Sequence, residues 1–274
     1  MLLVVNSSFF SAELRGEHIA KALGVKCLFD DFGGQRNGLV IFVKEAFRGL
    51  VLDAKERGNR IALDPLDFHC YKDRESTWGD LVDVLIVPNR GCAAWYAPRY
   101  PNARYAVIPH QWDSRIAGTA QQYRYAPGYI GKGFNLSVPD WDGATVSDSS
   151  QHLAAAPLFN LHLSLNRRDE RVRLLKPATK VATAAAVLAN VLTYRDPSAV
   201  ELLGPEYPFY VDSDQMSAIR MAREAFGGSK WKRGREKMKE VRERTSLQAI
   251  AGLYRRLGEG DESLLIDAPL REAA

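Results

Sequence analysis

Cysteine is scarce. The three present, Cys27, Cys70 and Cys92, stand far apart and form no Cys-x-x-Cys pair. A disulfide framework and a structural zinc site are therefore not expected, and a reducing cytoplasm is the expected setting. No apolar run approaches the roughly twenty residues a membrane-spanning helix needs. The opening stretch, Met1 to Asn6, is too short for a signal peptide and reads as a strand. The loop that follows it, Asn6 to Ser11, contains no glycine. It cannot be the Gly-x-Gly-x-x-Gly turn of a dinucleotide-binding strand, which argues against a nicotinamide or flavin enzyme. The excess of one charge is small, +4 over 274 residues; it permits an anionic partner without requiring one.

What is present is an alternation. Short apolar runs at residues 2–5, 25–29, 39–43, 60–63, 82–87 and 105–108 read as strands. Helical patterns at residues 12–23 and 45–57 separate some of them, the first with Ser11 as its expected N-cap and Gly24 as its stop. Strands alternating with helices imply an α/β chain with a doubly wound parallel sheet. In such sheets ligands sit outside the carboxyl ends of the strands. That singles out Asn6-Ser7-Ser8, the loop from Asp64 to His69, Asn89-Arg90-Gly91, and His110 to Asp113. Asp67 and His69 could together supply a general base for an acceptor hydroxyl; the competing reading is a capping aspartate and a packed histidine. His110, where the first half closes, is a further catalytic candidate. Arg15 on the first helix reads as an anion contact or as a solvated arginine.

In the second half, residues 123–130 read as a strand running into Gly131-Lys132-Gly133, where glycine would let backbone approach a ligand. Residues 139–150 read as a polar loop and residues 158–165 as a buried strand. Arg167, Arg168, Lys176 and Lys180 then crowd together, the last two four residues apart, the spacing of one helical face. Pro177 suits a helix's first turn, and Thr179 opens a small-residue helix over residues 179–188. A strand at residues 190–194 and a helix bearing Glu201 complete the passage. Cationic side chains and a helix N-terminus are what a diphosphate requires. Three more helices are expected at residues 213–226, 230–244 and 246–257. The middle one is strongly basic, a solvated face or a surface for nucleic acid or an anionic membrane. Residues from 258 on read as a loose tail.

The passage Lys176-Pro177-Ala178-Thr179-Lys180, Thr183-Ala184-Ala185-Ala186, Val191-Leu192-Thr193, Glu201 resembles the donor domain of GT-B glycosyltransferases of the group 1 superfamily. Gly131-Lys132-Gly133 resembles the first glycine-rich turn of that domain. The chain departs from the superfamily in lacking its two glutamates with seven residues between; Leu175 and Thr183 stand in their places. The resemblance implies two Rossmann-like domains facing across a cleft: residues 1–112 on the acceptor side, and residues 113–257 on the donor side with a last helix returning to the first domain. It implies transfer of a sugar from a nucleotide-sugar, a co-substrate rather than a cofactor, to a saccharide or lipid-linked saccharide. Donor contacts would come from Gly131, Arg167, Arg168, Lys176, Thr179, Lys180 and Glu201, with Glu201 on the ribose. No metal is expected, because basic side chains and a helix terminus can stabilise the departing diphosphate. The alternatives are a hydroxylated base in DNA as acceptor, or a nucleotide- or nucleic-acid-binding protein without turnover. The expected place is the cytoplasm, with peripheral contact to an anionic membrane through residues 230–244.

Overall fold

The computed structural model describes residues 1–5, 10–71, 78–138, 141, 143–166, 169–212 and 214–267. Its strands, in chain order, are β1 (Leu2–Val5), β2 (Cys27–Phe29), β3 (Leu39–Val43), β4 (Arg60–Asp64), β5 (Val84–Val87), β6 (Arg104–Val107), β7 (Pro127–Ile130), β8 (Ala144–Val146), β9 (Leu161–Ser164), β10 (Asn190–Thr193) and β11 (Leu265–Ile266). Two compact units form. One takes Met1–His110, Leu174–Pro177 and the chain from Leu247 on; the other takes Gln111–Arg173 and Ala178–Ser246.

The first unit holds a seven-stranded sheet in the order β11-β6-β5-β4-β3-β1-β2, with every pairing parallel except that of β11. β1, β3 and β5 are apolar and buried throughout, as strands covered on both faces must be. The core of Leu3, Ile41, Ala62 and Ile86 continues into Ile250, Ala251, Tyr254 and Leu257. Those last four are the apolar face of the helix Leu247–Gly258, repeating at helical spacing. The second unit holds a four-stranded parallel sheet in the order β10-β9-β7-β8. The helix Thr179–Ala186 lies in its core, burying Val181, Ala182, Ala184, Ala185 and Ala186. The helix Ser229–Arg244 packs close by Gly234: a Cβ there would stand 2.4 Å from Asn190 Oδ1 and 2.8 Å from Phe209 Cε2. Asn190, at the start of β10, is itself buried and donates to the Trp231 carbonyl at 3.1 Å.

Several expectations are corrected. Helix covers residues 10–23, so Ser11 sits inside the first turn instead of capping it. Its stretch Glu13–His18 is a π-helix, a wider turn often found at functional sites. The helix placed at residues 45–57 begins only at Arg48, since Phe47 before it is extended at φ −83° and ψ 135°. The polar segment 139–150 contains β8, paired parallel to β7 through Gly128–Ala144 and Ile130–Val146. Short helices at Cys92–Tyr96 and Glu170–Leu175 carry too few residues to show a period. Glu259 to Asp267 is no loose tail: Leu265 and Ile266 pair with Ala106 and Tyr105 and cover the edge of β6. Residues 268–274 lie outside the described residues.

Candidate active site

Each sheet reverses its winding beside its first strand. In the first, β2 lies on one side of β1 and β3 on the other; in the second, β8 and β9 flank β7 in the same way. Neighbouring loops leave in opposite directions at such a point, and a crevice opens outside the carboxyl ends. The two crevices therefore lie beyond β1 and β3, and beyond β7 and β9.

At the first, Lys44 follows β3 and Asp67 follows β4. Lys44 Nζ lies 3.4 Å from Asp67 Oδ1 and 3.3 Å from Ser11 Oγ, to which it donates. Asp67 Oδ1 is shielded from water and accepts no hydrogen bond among the described residues. Lys44 at φ 77° and Leu66 at φ 52° hold left-handed backbone that non-glycine residues rarely adopt. Beneath them Arg15, on the π-helical turn, is buried. Its Nε donates to Asp64 Oδ2 at 2.6 Å, and its two amino groups donate to the carbonyls of Pro109 at 2.7 Å and Ile108 at 2.9 Å. The Tyr254 hydroxyl donates to the same Asp64 oxygen. Burial works against the Arg15 charge, but Asp64 and Tyr254 outweigh it and hold the guanidinium above its ordinary value. Arg15 is thus neither an anion contact nor solvated; it ties the first helix to the ends of β4 and β6.

His69 and His110 also belong to this unit. His69 points away from the crevice into an aromatic cluster. It is buried, its Nε2 stands 2.9 Å from the Tyr100 hydroxyl, and the rings of Phe68, Trp95 and Tyr96 surround it. The short helix Phe68–Tyr71 turns it there. The pairing of Asp67 with His69 as joint candidates is therefore corrected: Asp67 faces Lys44 and His69 is a packed histidine. His110 is buried just past β6.

At the second crevice, Gly131 follows β7 at φ 140°, a conformation that L side chains rarely adopt. A Cβ on it would stand 2.9 Å from Lys180 Nζ and 3.1 Å from the Tyr129 hydroxyl. Lys180, in the first turn of the helix Thr179–Ala186, donates to the Ile130 carbonyl and lies 4.3 Å from the centre of the Tyr129 ring. The Tyr129 hydroxyl donates to Asn166 Oδ1 at 3.1 Å, linking the ends of β7 and β9 across the reversal. The Ser147 hydroxyl, past β8, donates to the Gly131 carbonyl at 3.4 Å. Past β9 and β10, Ser137 Oγ and the Tyr194 hydroxyl stand 2.8 Å apart, and Gln215 donates to the same tyrosine oxygen at 2.9 Å.

Of the other donor candidates, Thr179 opens the helix that carries Lys180. Lys176 belongs to the first unit, whereas Thr179 and Lys180 belong to the second. The helix begins two residues after Pro177, past a non-helical Ala178 at ψ 51°. Lys176 and Lys180 therefore do not share a helical face, since the residue before a proline is turned away from helical geometry. Glu201 lies in the second turn of the helix Pro197–Leu203, and its carbonyl accepts from Arg244 at 3.5 Å. Asp196 stands nearer the end of β10, buried, with Arg173 Nε at 2.9 Å. Arg167 and Arg168 lie outside the described residues. Lys44, Tyr129, Asn166 and the Ser137–Tyr194–Gln215 chain escaped the sequence reading; for Lys44, Asn166 and Tyr194 the available signal was position, immediately after an apolar run.

Two Asp-x-Asp triplets bear on the expectation of chemistry without a metal. Asp140 and Asp142 are outside the described residues. Asp212 pairs with Arg195 at 2.8 Å, and Asp214 caps the helix Gln215–Glu224 by accepting from the Ser217 amide at 2.6 Å. Among the described residues no three His, Cys, Asp or Glu side chains gather as metal ligands, and no helix is long and apolar enough to cross a membrane. In the basic helix, Lys237 and Lys239 pair with Glu240 and Glu236. Arg235 donates to the Leu188 carbonyl at 3.2 Å and Arg244 to the Leu202 carbonyl at 3.2 Å. Much of its charge thus serves the unit's own packing.

No family model and no curated protein sequence matches the chain. Solved structures match its fold. A glycosyltransferase from Rickettsia africae ESF-5 superposes with a TM-score of 0.66 at 10% identity, over 96% of this chain and 98% of that one. HepE from Anabaena, solved in complex with UDP, gives 0.65 at 8% identity over 94% and 99%. The pneumococcal O-GlcNAc transferase GtfA, in complex with UDP and GlcNAc, gives 0.56 at 11% identity over 82% of this chain, which spans 57% of the length of that one. The fold is GT-B, as the sequence resemblance implied.

Proposed function

We propose that the protein is a glycosyltransferase that moves a sugar from a nucleotide-sugar to a hydroxyl of a saccharide or lipid-linked saccharide. The observation that carries this reading is the second sheet's reversal, where Gly131, without a side chain, sits beside the Lys180 ammonium at the start of a helix. A diphosphate there would meet the first free amides of the helix and the lysine charge together. Lys180 donates to the Ile130 carbonyl and lies against the Tyr129 ring, which hold its ammonium beside Gly131. The charge that develops on the departing diphosphate would be stabilised by these fixed groups, without a metal. Glu201 would take the ribose hydroxyls, and Lys176, Arg167 and Arg168 remain candidates for the diphosphate. In the first unit Asp67, 3.4 Å from Lys44 Nζ, would act as general base on the acceptor hydroxyl. His110 is the next candidate, and His69 is withdrawn.

The fold neighbours support the donor class. HepE and GtfA were solved with UDP, and GtfA with GlcNAc as well. A thermal-shift screen against UDP, GDP, ADP, CDP, TDP and their sugars tests the reading. A ligand present at a hundred times its Kd stabilises the fold by about 2.7 kcal/mol. A raised midpoint with one nucleoside diphosphate, followed by slow hydrolysis of its sugar, is the expected result. No shift with any of them would overturn the proposal. Binding without hydrolysis or transfer would leave a nucleotide-binding protein.

A further inference from the structure

Past the ends of β9 and β10 four residues join in one hydrogen-bonded chain. Ser137 Oγ lies 2.7 Å from the Leu165 carbonyl and 2.8 Å from the Tyr194 hydroxyl, and Gln215 Nε2 lies 2.9 Å from that same hydroxyl. The direction of the chain follows from one end. A carbonyl oxygen can only accept, so the Ser137 proton goes to Leu165. Ser137 Oγ must then accept from Tyr194, and Tyr194, its own proton used, must accept from Gln215. The amide is thereby held with its nitrogen towards Tyr194 and its Oε1 turned away. Gln215 is half-buried. Its Oε1 meets no donor among the described residues and is not one of their shielded atoms, so it opens to water. An acceptor in a fixed orientation, with one amide hydrogen left beside it, matches a planar group that carries an N–H next to an acceptor, as every nucleobase edge does.

The registers Pro127–Leu161 and Thr193–Ser164 bring Ile130, Ser164 and Thr193 level at the ends of β7, β9 and β10. Lys180 donates to the Ile130 carbonyl, and Tyr194 directly follows Thr193. Two strand spacings, about 10 Å, separate those strand ends. A nucleotide with its diphosphate at Lys180 covers that span with its ribose and base. We propose that Gln215 is a base-selecting residue of the donor site, its Oε1 accepting from an N–H on the pairing edge of the nucleobase while Tyr194 and Ser137 hold the amide in place. The inference rests on the donor site proposed above. A phosphate offers no donor at neutral pH and gains nothing from an outward oxygen. A base that presents an N–H at the right place gains a hydrogen bond, and one that presents an acceptor there leaves two oxygens or an oxygen and a nitrogen opposed. A site built in this way selects by rejection of the mismatched edge.

Calorimetry of the full-length protein with UDP, CDP, GDP, ADP, TDP and inorganic pyrophosphate is the experiment. The first four share ribose and diphosphate, so differences among them read the base alone. Wild type should favour one of the four by roughly tenfold or more. Gln215→Leu should bind that one roughly tenfold more weakly, bring it towards the other three, and bind pyrophosphate as before. Tyr194→Phe loses only the oxygen that fixes the amide. It should lose part of the same preference, and it decides the matter if Gln215→Leu does not fold. No preference among the four in wild type, a preference that the variants keep, or an equal loss on all four would overturn this inference and leave the donor site standing. If wild type binds none of the six ligands, both fall together.

Discussion

The two strand-end crevices follow one rule of construction and differ in how they handle charge. In the first unit charges meet their opposites inside the protein. Arg15 is matched to Asp64 with both side chains buried, and Lys44 stands beside Asp67. In the second, Asp196 is likewise buried against Arg173, and Lys180 lies on a carbonyl and a tyrosine ring beside Gly131. On the function proposed, the first crevice would take the acceptor hydroxyl, and the second, with Lys180 at a helix start, the diphosphate. The difference teaches that one sheet geometry can present different chemistry through a few side chains placed just past the strands.

The strongest way to break the comparison is at Asp67. Asp67→Asn should lower sugar transfer by roughly two to four orders of magnitude, the usual worth of a general base, with nucleotide binding unchanged. Unaltered steady-state rates would remove Asp67 from the chemistry and bring His110 forward. Next comes the buried pair. Arg15→Met leaves Asp64 buried beside Tyr254 without its cation and should cost about 3–5 kcal/mol of stability in urea unfolding. Loss of less than about 1 kcal/mol would show that Asp64 simply takes up a proton when its partner is removed.

A third test uses pH. Burial pushes His162 down from 6.5 to about 4. The unfolded chain therefore binds more protons between these values, and stability falls as pH drops from about 6.5 towards 4. The expected loss is on the order of 3 kcal/mol, and His162→Gln should flatten that part of the profile. An unchanged slope in the variant would assign the acid sensitivity elsewhere. The smallest effects are on the donor side. Lys180→Ala should weaken a nucleoside diphosphate tenfold to a hundredfold and the bare nucleoside hardly at all, from a charge-assisted contact worth roughly 1.5–3 kcal/mol. Glu201→Ala should weaken both ligands by a similar factor, because its partner is the ribose. Calorimetry that finds equal losses on both ligands for Lys180→Ala, or none for Glu201→Ala, would move the site.

Much of this was legible in one dimension. β1, β3 and the helix Pro197–Leu203 follow from apolar runs, Pro197 and Gly204. Gly131 and Lys180 could be picked out by residue type, because backbone approach and positive charge each demand particular residues, whereas the spacing from Lys176 to Lys180 misled. Arg15 could not, since an arginine on a helix is equally consistent with solvent until Asp64, forty-nine positions away, is brought to it.

By itself the sequence determined the alternation of strand and helix, the apolar faces that bury them and the basic character of the stretch around Lys176 and Lys180, because local periodicity and composition act over a few residues. Tertiary structure alone decided that His69 is packed while Asp67 faces Lys44, and that Leu265 and Ile266 close a sheet edge. These depend on strand order, which places residues far apart in the chain at neighbouring strand ends, and no local pattern encodes that order.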